Sequence, residues 1–185
     1  MMVATESKMI PLGTIAPFFS LFEPKSKNII DFSNETHAKG YLVAFICNHC
    51  PYVVHIKKQM TEVFNNFTDI GIHVYAISSN DPIGYPDDSP HKMAIEAEKY
   101  GFKFPYLFDE NQEVAKSYNA ACTPDFYIFN QKKELYYRGQ FDDSRPNNGK
   151  AITGFSVKEA VKFMLEDKSY PHKQIPSIGC NIKWK

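Results

Sequence analysis

The chain has 185 residues, of which 43% are hydrophobic and 23% charged, a composition typical of one compact domain with a substantial core. Its 21 basic residues balance its 21 acidic ones, and a net charge of zero argues against nucleic acid or an anionic membrane as a partner. No apolar signal-peptide core and no stretch near the ~20 apolar residues of a membrane span is present. We therefore expect a soluble, cytoplasmic protein whose four cysteines stay reduced between turnovers.

Strands and helices alternate in the first half of the chain. After short extended segments and a turn at residues 23–26, the apolar run at 41–46 predicts a central strand covered on both faces. Apolar residues at three- and four-residue spacing then predict a helix, namely Val53, Ile56, Met60, Val63, Phe64 and Phe67. A second apolar strand at 72–78 completes a β-α-β unit, so we expect parallel strands joined by a right-handed crossover.

The next segment contains a helix, a shorter helix and a hairpin. Ser89 as the cap and Gly101 as the stop are typical of a helix over 90–100. A shorter helix is predicted at 111–118. Two apolar strands within 126–138, separated by a polar four-residue turn, predict an antiparallel hairpin.

The last elements are a helix and an irregular tail. Ser156 and Glu159 form a capping box ahead of a helix predicted at 157–166. The tail at 169–185 contains prolines together with apolar residues, and we expect it to pack onto the domain. Because no repeat or linker interrupts the chain, residues 1–185 are predicted to form a single domain.

Two cysteines separated by two residues, Cys47 and Cys50, follow the first apolar strand at the point where a helix is expected to begin. Unpaired N–H groups and a partial positive charge at a helix N-terminus stabilise a thiolate and lower its pKa. We predict that Cys47 is the nucleophile and that Cys50, in the first turn, resolves a mixed disulfide formed on Cys47. Pro51 suits that first turn because a proline lacks an N–H that would have no partner there.

Metal binding is the main non-catalytic alternative for these thiols. A tetrahedral zinc site could be completed by other residues of the chain, namely His49, His55, Cys122 or Cys180. However, the chain has no second Cys-x-x-Cys and no histidine pair at zinc-finger spacing. We therefore expect neither a metal nor a cofactor.

The order of these elements resembles the thioredoxin fold, with the Cys-x-x-Cys in the first β-α-β turn and a Thr123–Pro124 step before the hairpin. The resemblance implies an α/β protein with a central mixed sheet flanked by helices, here with an N-terminal extension and a C-terminal tail. The Ala-Pro-Phe at 16–18 is similar to the AhpC/TSA branch of peroxiredoxin-like and TlpA-like redoxins. Residues 45–52, 122–126 and 177–185 resemble uncharacterised redoxins within that branch.

The resemblance implies roles for several residues far from the cysteine pair. Thr123 and Pro124 would form the wall that faces the substrate, joined by a cis peptide bond. Cys122 would adjoin that wall, either as a third redox thiol or metal ligand, or as a buried unreactive cysteine. Cys180 would be a second resolving thiol or another unreactive one. Arg138, at the end of the hairpin, would stabilise a thiolate or peroxide, or lie at the surface.

The chain also departs from the patterns of its superfamily. Ile46 precedes the first cysteine where thioredoxins have tryptophan, and residues 41–46 contain no carboxylate to accept a proton from Cys50. His49 would transfer protons, or water would do so and His49 would be a solvated loop residue. Neither cysteine has the P-x-x-x-T/S-x-x-C pattern of peroxiredoxins, so a standard peroxidase site is absent.

Together these features predict a thiol–disulfide oxidoreductase that uses the dithiol of Cys47 and Cys50. The expected partners are protein or small-molecule disulfides, or a peroxide, and a cellular thiol reductant. A thiol peroxidase, in which Cys47 becomes a sulfenic acid and condenses with Cys50, is the enzymatic alternative. A metal-binding or redox-sensing module is the non-enzymatic one. The sequence carries no signal of the oligomeric state.

Overall fold

The structure is a computed structural model that describes residues 4–185. The predicted domain over 1–185 includes residues 1–3, which lie outside the described residues. The strands, in chain order, are β1 (Ala4–Glu6), β2 (Ser20–Glu23), β3 (Asn28–Asp31), β4 (Gly40–Phe45), β5 (Ile72–Ser78), β6 (Tyr106–Phe108), β7 (Cys122–Thr123), β8 (Asp125–Phe129), β9 (Leu135–Gly139) and β10 (Ile178–Asn181). The helices are α1 (Pro51–Asp69), α2 (Pro90–Tyr100), α3 (Glu113–Ser117) and α4 (Phe155–Leu165), with a 3-10 turn at Pro86–Asp88. Within this described part, no helix is long and apolar enough to cross a membrane.

Seven strands form one mixed sheet in the order β3-β2-β6-β5-β4-β8-β9. β4, β5 and β6 are parallel, whereas β8 is antiparallel to both β4 and β9. The predicted β-α-β unit and the predicted hairpin are therefore confirmed. Residues of α1, α2 and α4 pack on one face of the sheet and residues of α3 on the other. The α/β class with a central mixed sheet flanked by helices is confirmed as well.

The central strand β4 separates two apolar cores because successive side chains of a strand point to opposite faces. Leu42 and Ala44 belong to the core beneath α1, α2 and α4. Tyr41, Val43 and Phe45 belong to a largely aromatic core on the other face. All six residues of β4 are buried, which explains why its sequence is apolar without alternation. The connection that follows β4 therefore begins inside the sheet, between β5 and β8.

A second, three-stranded sheet holds part of the tail against the domain. β10 lies between β1 and β7 and is antiparallel to both. Cys180 pairs in register with Thr123. Gly179 approaches so closely that a Cβ atom there would lie 1.9 Å from the Thr123 carbonyl oxygen, so only glycine fits without displacing a strand.

Two helices begin differently from the prediction. Ser156 lies inside α4, so the predicted capping box is wrong. The start of α4 is held instead by Asp142, whose carboxylate accepts 2.7 Å hydrogen bonds from the Thr153 and Gly154 N–H groups. Because Asp142 comes from a preceding loop, residue spacing at the helix start does not reveal it. Ser89 occupies the N-cap of α2, but its hydroxyl makes no capping hydrogen bond.

Arg138 is fully buried, so the surface position considered from the sequence is wrong. Its guanidinium lies 3.0 Å from the Asp125 carboxylate and 3.0 Å from the Asn119 carbonyl oxygen, and it packs over the ring of Tyr127. Burial raises the pKa of Asp125 to about 6, although the guanidinium opposes that rise. The ion pair joins β8 to β9, and the hydrogen bond to Asn119 ties this hairpin to the loop that precedes β7.

We expect Arg138→Met to lower the free energy of unfolding by about 3–5 kcal/mol, because the Asp125 carboxylate would stay buried without its partner. Urea unfolding followed by circular dichroism measures the change. The double variant Arg138→Met/Asp125→Leu should recover part of the loss, since both charges are then removed. Lys150→Met, in the exposed pair with Asp143, is the control and should cost far less. A loss in Arg138→Met no larger than that in the control would contradict the prediction.

Candidate active site

Cys47 and Cys50 lie in the connection between β4 and α1. The helix begins at Pro51, so Cys50 is its N-cap residue and Cys47 precedes it by a further three positions. The Val53 N–H in the first turn donates a hydrogen bond to Cys50. The expectation that the helix N-terminus acts on Cys47 is therefore wrong, because the helix starts one residue after Cys50 and its N–H groups serve that thiol.

Three sulfur atoms and one threonine meet beside this end of α1. Cys50 Sγ lies 2.9 Å from Cys180 Sγ and 3.1 Å from the Thr123 carbonyl oxygen. Cys47 Sγ lies 3.4 Å from Thr123 Oγ1. None of the three cysteines is more than 2% exposed, so the cluster is closed to solvent. The Thr123–Pro124 peptide bond is cis, as the resemblance implies.

The two thiols of the Cys-x-x-Cys share a proton unequally. The hydrogen bond from Cys47 lowers the pKa of Cys50 to about 5 despite burial, and Cys180 and the Val53 N–H add to that effect. The same hydrogen bond, together with burial and the Asp88 carboxylate, raises the pKa of Cys47 well above its ordinary range. These opposite shifts favour Cys50 over Cys47 as the thiolate of the pair.

A buried carboxylate from another element holds His49 in place. Asp88, in the 3-10 turn, is fully buried and accepts 2.7 Å hydrogen bonds from His49 Nδ1, the Asn80 side-chain amide and the Asn48 N–H. The hydrogen bond to Asp88 raises the pKa of His49, against the effects of burial and of Lys183. Burial acts to raise the pKa of Asp88, but its three hydrogen bonds outweigh burial and hold that pKa below the usual range.

Asp88 is a functional candidate that the sequence analysis missed. Residues 41–46 lack the carboxylate of thioredoxins, and Asp88 provides a buried acid beside the thiols from a different position in the fold. The carboxyl ends of parallel strands meet at one edge of a sheet, and Asp88 lies in the loop after β5. The position of Asp88 after β5 could therefore have identified it as a candidate from the sequence. The sequence of residues 80–88 indicates only a loop, which ends where Ser89 and Pro90 are typical of a helix start.

Cys47, His49 and Asp88 are close enough to bind a metal ion, with donor atoms within 4.8 Å of one another. However, both Asp88 oxygens already accept hydrogen bonds, Oδ1 from Asn48 and Oδ2 from His49 and Asn80. A metal also requires a thiolate, whereas the surroundings of Cys47 raise its pKa. The donor set thus fits a hydrogen-bonded network better than a metal centre.

Three other residues considered from the sequence have partners elsewhere. Cys122 Sγ contacts the Pro124 carbonyl oxygen at 3.6 Å, and burial raises its pKa, as expected for an unreactive thiol. The Arg138 guanidinium is held by Asp125, as described above. His55 Nε2 lies 3.2 Å from the Ser144 hydroxyl.

Comparisons with known proteins agree with this arrangement. The AhpC/TSA family matches residues 12–138. Thiol-disulfide oxidoreductase ResA of Geobacillus kaustophilus is 23% identical over 164 residues, which cover 88% of this chain and 80% of that protein. The crystal structure of an uncharacterized conserved protein from Geobacillus kaustophilus is 49% identical, with a TM-score of 0.96 over 100% of this chain and 98% of that chain.

A more distant structure shows the fold alone. The thioredoxin domain of a thiol-disulfide oxidoreductase from Bacteroides vulgatus superposes with a TM-score of 0.60 at 16% identity, over 81% of this chain and 98% of that chain. The family match extends from the residues before β2 to the buried arginine of β9, well over half of the protein. The chain therefore has the thioredoxin fold and belongs to the AhpC/TSA family.

Proposed function

We propose that this protein is a thiol–disulfide oxidoreductase whose reactive pair is Cys47 and Cys50. The observation that carries the proposal is the hydrogen bond between the two thiols at the start of α1, which lowers the pKa of Cys50 and raises that of Cys47. Thiol–disulfide exchange needs a thiolate at neutral pH and a second thiol within reach of the first. A relative named as a thiol-disulfide oxidoreductase supports the same chemistry.

In this mechanism Cys47 attacks the partner first. Asn48 and His49, which follow it, are partly exposed, whereas Cys50 is enclosed by the sulfur cluster. A partner disulfide that approaches over this loop meets Cys47 before Cys50. As the Cys47 sulfur forms a bond to one partner sulfur, its proton passes to the Cys50 thiolate. The partner disulfide breaks, and the second partner sulfur leaves as a thiolate.

Cys50 then resolves the mixed disulfide. Its proton passes to His49, which is neutral once it has protonated the first departing thiolate. Cys50 then attacks the Cys47 sulfur, so that a Cys47–Cys50 disulfide forms and the remaining partner sulfur leaves as a thiolate. The partner gains two electrons and the protein loses two. A cellular thiol reductant then returns the two electrons to the pair.

His49 is proposed to protonate the departing partner thiolate. Its hydrogen bond to the fully buried Asp88 fixes the imidazole, which distinguishes it from a solvated loop residue. Because Asp88 raises the pKa of His49, a larger fraction of the imidazole is protonated at neutral pH and can act as an acid. Asp88 is in this view a positioning residue, since it acts through His49.

The proposed substrates are protein or small-molecule disulfides. A small cleft lies beside Pro124 and is lined in part by Tyr52, His55 and Arg145. Thr123 and Pro124 would form the wall that faces the substrate. We further propose that the protein works in the cytoplasm, where a reducing environment keeps cysteines as thiols.

Thiol peroxidase activity is the second candidate function. One observation favours it: the Thr123 hydroxyl lies 3.4 Å from Cys47 Sγ, although no threonine or serine stands three residues before either cysteine of the pair. In that reaction the Cys47 thiolate attacks a peroxide oxygen, an alcohol or water leaves, and Cys47 becomes a sulfenic acid. Cys50 then forms the disulfide and releases water.

Stopped-flow oxidation by glutathione disulfide and by hydrogen peroxide separates the two functions. We expect wild type to react faster with the disulfide, Cys47→Ser to lose the reaction, and Cys50→Ser to stop at a mixed disulfide on Cys47 that mass spectrometry detects. Cys47→Ser that reacts as fast as wild type would refute our nucleophile assignment. A faster reaction with peroxide would favour the peroxidase, and one equivalent of zinc held by both thiols would favour the metal-binding alternative.

We predict that a thiolate forms in the reduced protein near pH 5, because the surroundings of Cys50 lower its pKa to about 5. Absorbance at 240 nm measures it. Cys50→Ser should abolish the transition, and Cys47→Ser should move it to higher pH, since the hydrogen bond that stabilises the thiolate is lost. A transition that persists in Cys50→Ser but vanishes in Cys47→Ser would place the charge on Cys47 instead.

Asp88→Asn should shift the pH profile of disulfide reduction to lower pH on both limbs. Without the carboxylate the raised pKa of His49 falls, so the acid is lost at lower pH, and the raised pKa of Cys47 falls, so its thiolate forms at lower pH. Nuclear magnetic resonance titration of the His49 imidazole reports the first effect directly. The matched control is Asp87→Asn, because that neighbouring carboxylate is largely exposed and pairs with Lys92. Equal profiles for the two variants would exclude the role of Asp88.

A further inference from the structure

Resting on the proposed function, we propose that Cys180 is a third redox residue, which takes over the disulfide of the Cys47–Cys50 pair and holds it as a Cys50–Cys180 disulfide. The carrying observation is the 2.9 Å separation of Cys50 Sγ and Cys180 Sγ. Both residues are at most 2% exposed, so the two thiols are closed off together from solvent.

The position of Cys180 beside Cys50 is determined by the pairing of β10 with β7. β10 pairs with β7 so that Cys180 lies opposite Thr123, whose carbonyl oxygen is also 3.1 Å from Cys50 Sγ. Gly179 allows this distance, because any larger residue would collide with the Thr123 carbonyl group. The backbone at Thr123 thus positions the sulfur atoms of both Cys50 and Cys180.

Both ends of β10 are anchored by hydrogen bonds. Before the strand, the Ser177 N–H donates to Ser7 Oγ at 3.0 Å, and the Ser177 hydroxyl donates to the Gly139 carbonyl oxygen at 2.7 Å. After the strand, the Lys183 N–H donates to Asn80 Oδ1 at 2.8 Å. Asn80 also binds Asp88, so the strand that carries Cys180 is joined to the network around His49.

The step is an internal thiol–disulfide exchange. The Cys180 sulfur attacks the Cys50 sulfur of the Cys47–Cys50 disulfide, the Cys50–Cys180 bond forms, and Cys47 leaves as a thiolate. The proton of Cys180 passes to the Cys47 thiolate as that thiolate leaves. No electron enters or leaves the protein, so no further oxidant is required.

Oxidation of the pair itself favours this attack. In the reduced protein burial raises the pKa of Cys180 to about 12, and the hydrogen bond and charge of Cys50 contribute to the rise. Once Cys50 is part of a disulfide it carries no charge, and that contribution disappears. The exchange also returns Cys47 to the thiol form, while the oxidising equivalent is held as a disulfide between β10 and the start of α1.

Tryptic mapping of the oxidised protein tests the proposal. Cys47 and Cys50 lie on one tryptic peptide, 40–57, whereas Cys180 lies on 174–183 and Cys122 on 117–132. Reduced protein is treated with glutathione disulfide, quenched in acid, alkylated with N-ethylmaleimide and digested without reductant. We expect most of the oxidised wild type to contain 40–57 linked to 174–183, with maleimide on Cys47. An internal disulfide in 40–57, with Cys180 fully alkylated, would overturn the proposal.

Three variants complete the test. Cys180→Ser, oxidised in the same way, should show only the internal disulfide of 40–57 and no link to 174–183. Cys47→Ser, oxidised with diamide, should form the link between Cys50 and Cys180 directly; its failure to do so would show that the two sulfur atoms do not react. Cys122→Ala is the matched control, since its sulfur contacts Pro124, and it should give the wild-type link.

The outcomes separate this proposal from the function on which it rests. If the internal disulfide of 40–57 forms equally in wild type and Cys180→Ser and no linked peptide appears, only the role of Cys180 is refuted. If neither disulfide forms in wild type or in any variant, the thiol–disulfide oxidoreductase function is refuted as well.

Discussion

A negative charge buried between Cys50 and its neighbours is the constraint on which the rest of the site depends. A charged group withdrawn from water is stable only when hydrogen-bond donors surround it. Here the donors come from three separate parts of the chain: the Cys47 thiol in the loop after β4, the Cys180 thiol on β10 and the Val53 N–H in α1. The small sheet of β1, β10 and β7 is therefore part of the active site, because it carries one of these donors.

A second buried charge, on Asp88, determines how the first is distributed. Its carboxylate disfavours a thiolate on Cys47 and so pushes the charge of the pair toward Cys50. The loop between the two cysteines is fixed from both sides, since Asp88 accepts the Asn48 N–H and Lys57, itself almost fully buried, donates to the Asn48 carbonyl oxygen at 3.1 Å. The reactive loop is thus held rigidly, although its chemistry depends on small shifts of protons.

The sequence predicts those features that depend on neighbouring residues. The apolar run of β4, the apolar face of α1 and the hairpin are recognised from the spacing of residues close together in the chain. Two cysteines separated by two residues after a strand likewise indicate reactive thiols. Interactions between distant parts of the chain leave no such trace. His49 and Asp88 are 39 positions apart and Cys50 and Cys180 are 130 apart. For the same reason the buried partner of Arg138 and the loop carboxylate that holds α4 become visible only in the folded chain.

The anchoring of β10 also fixes the order in which the site becomes complete during synthesis. The Lys183 N–H binds Asn80, which holds Asp88, and Cys180 supplies a donor to Cys50. A ribosome-bound chain that already contains β4 and α1 therefore has the Cys47 and Val53 donors to Cys50 but lacks the Cys180 donor. Only when residue 183 has been added and β10 has docked does the mature chemistry exist. The nascent chain and the finished protein thus differ in reactivity at the same two cysteines.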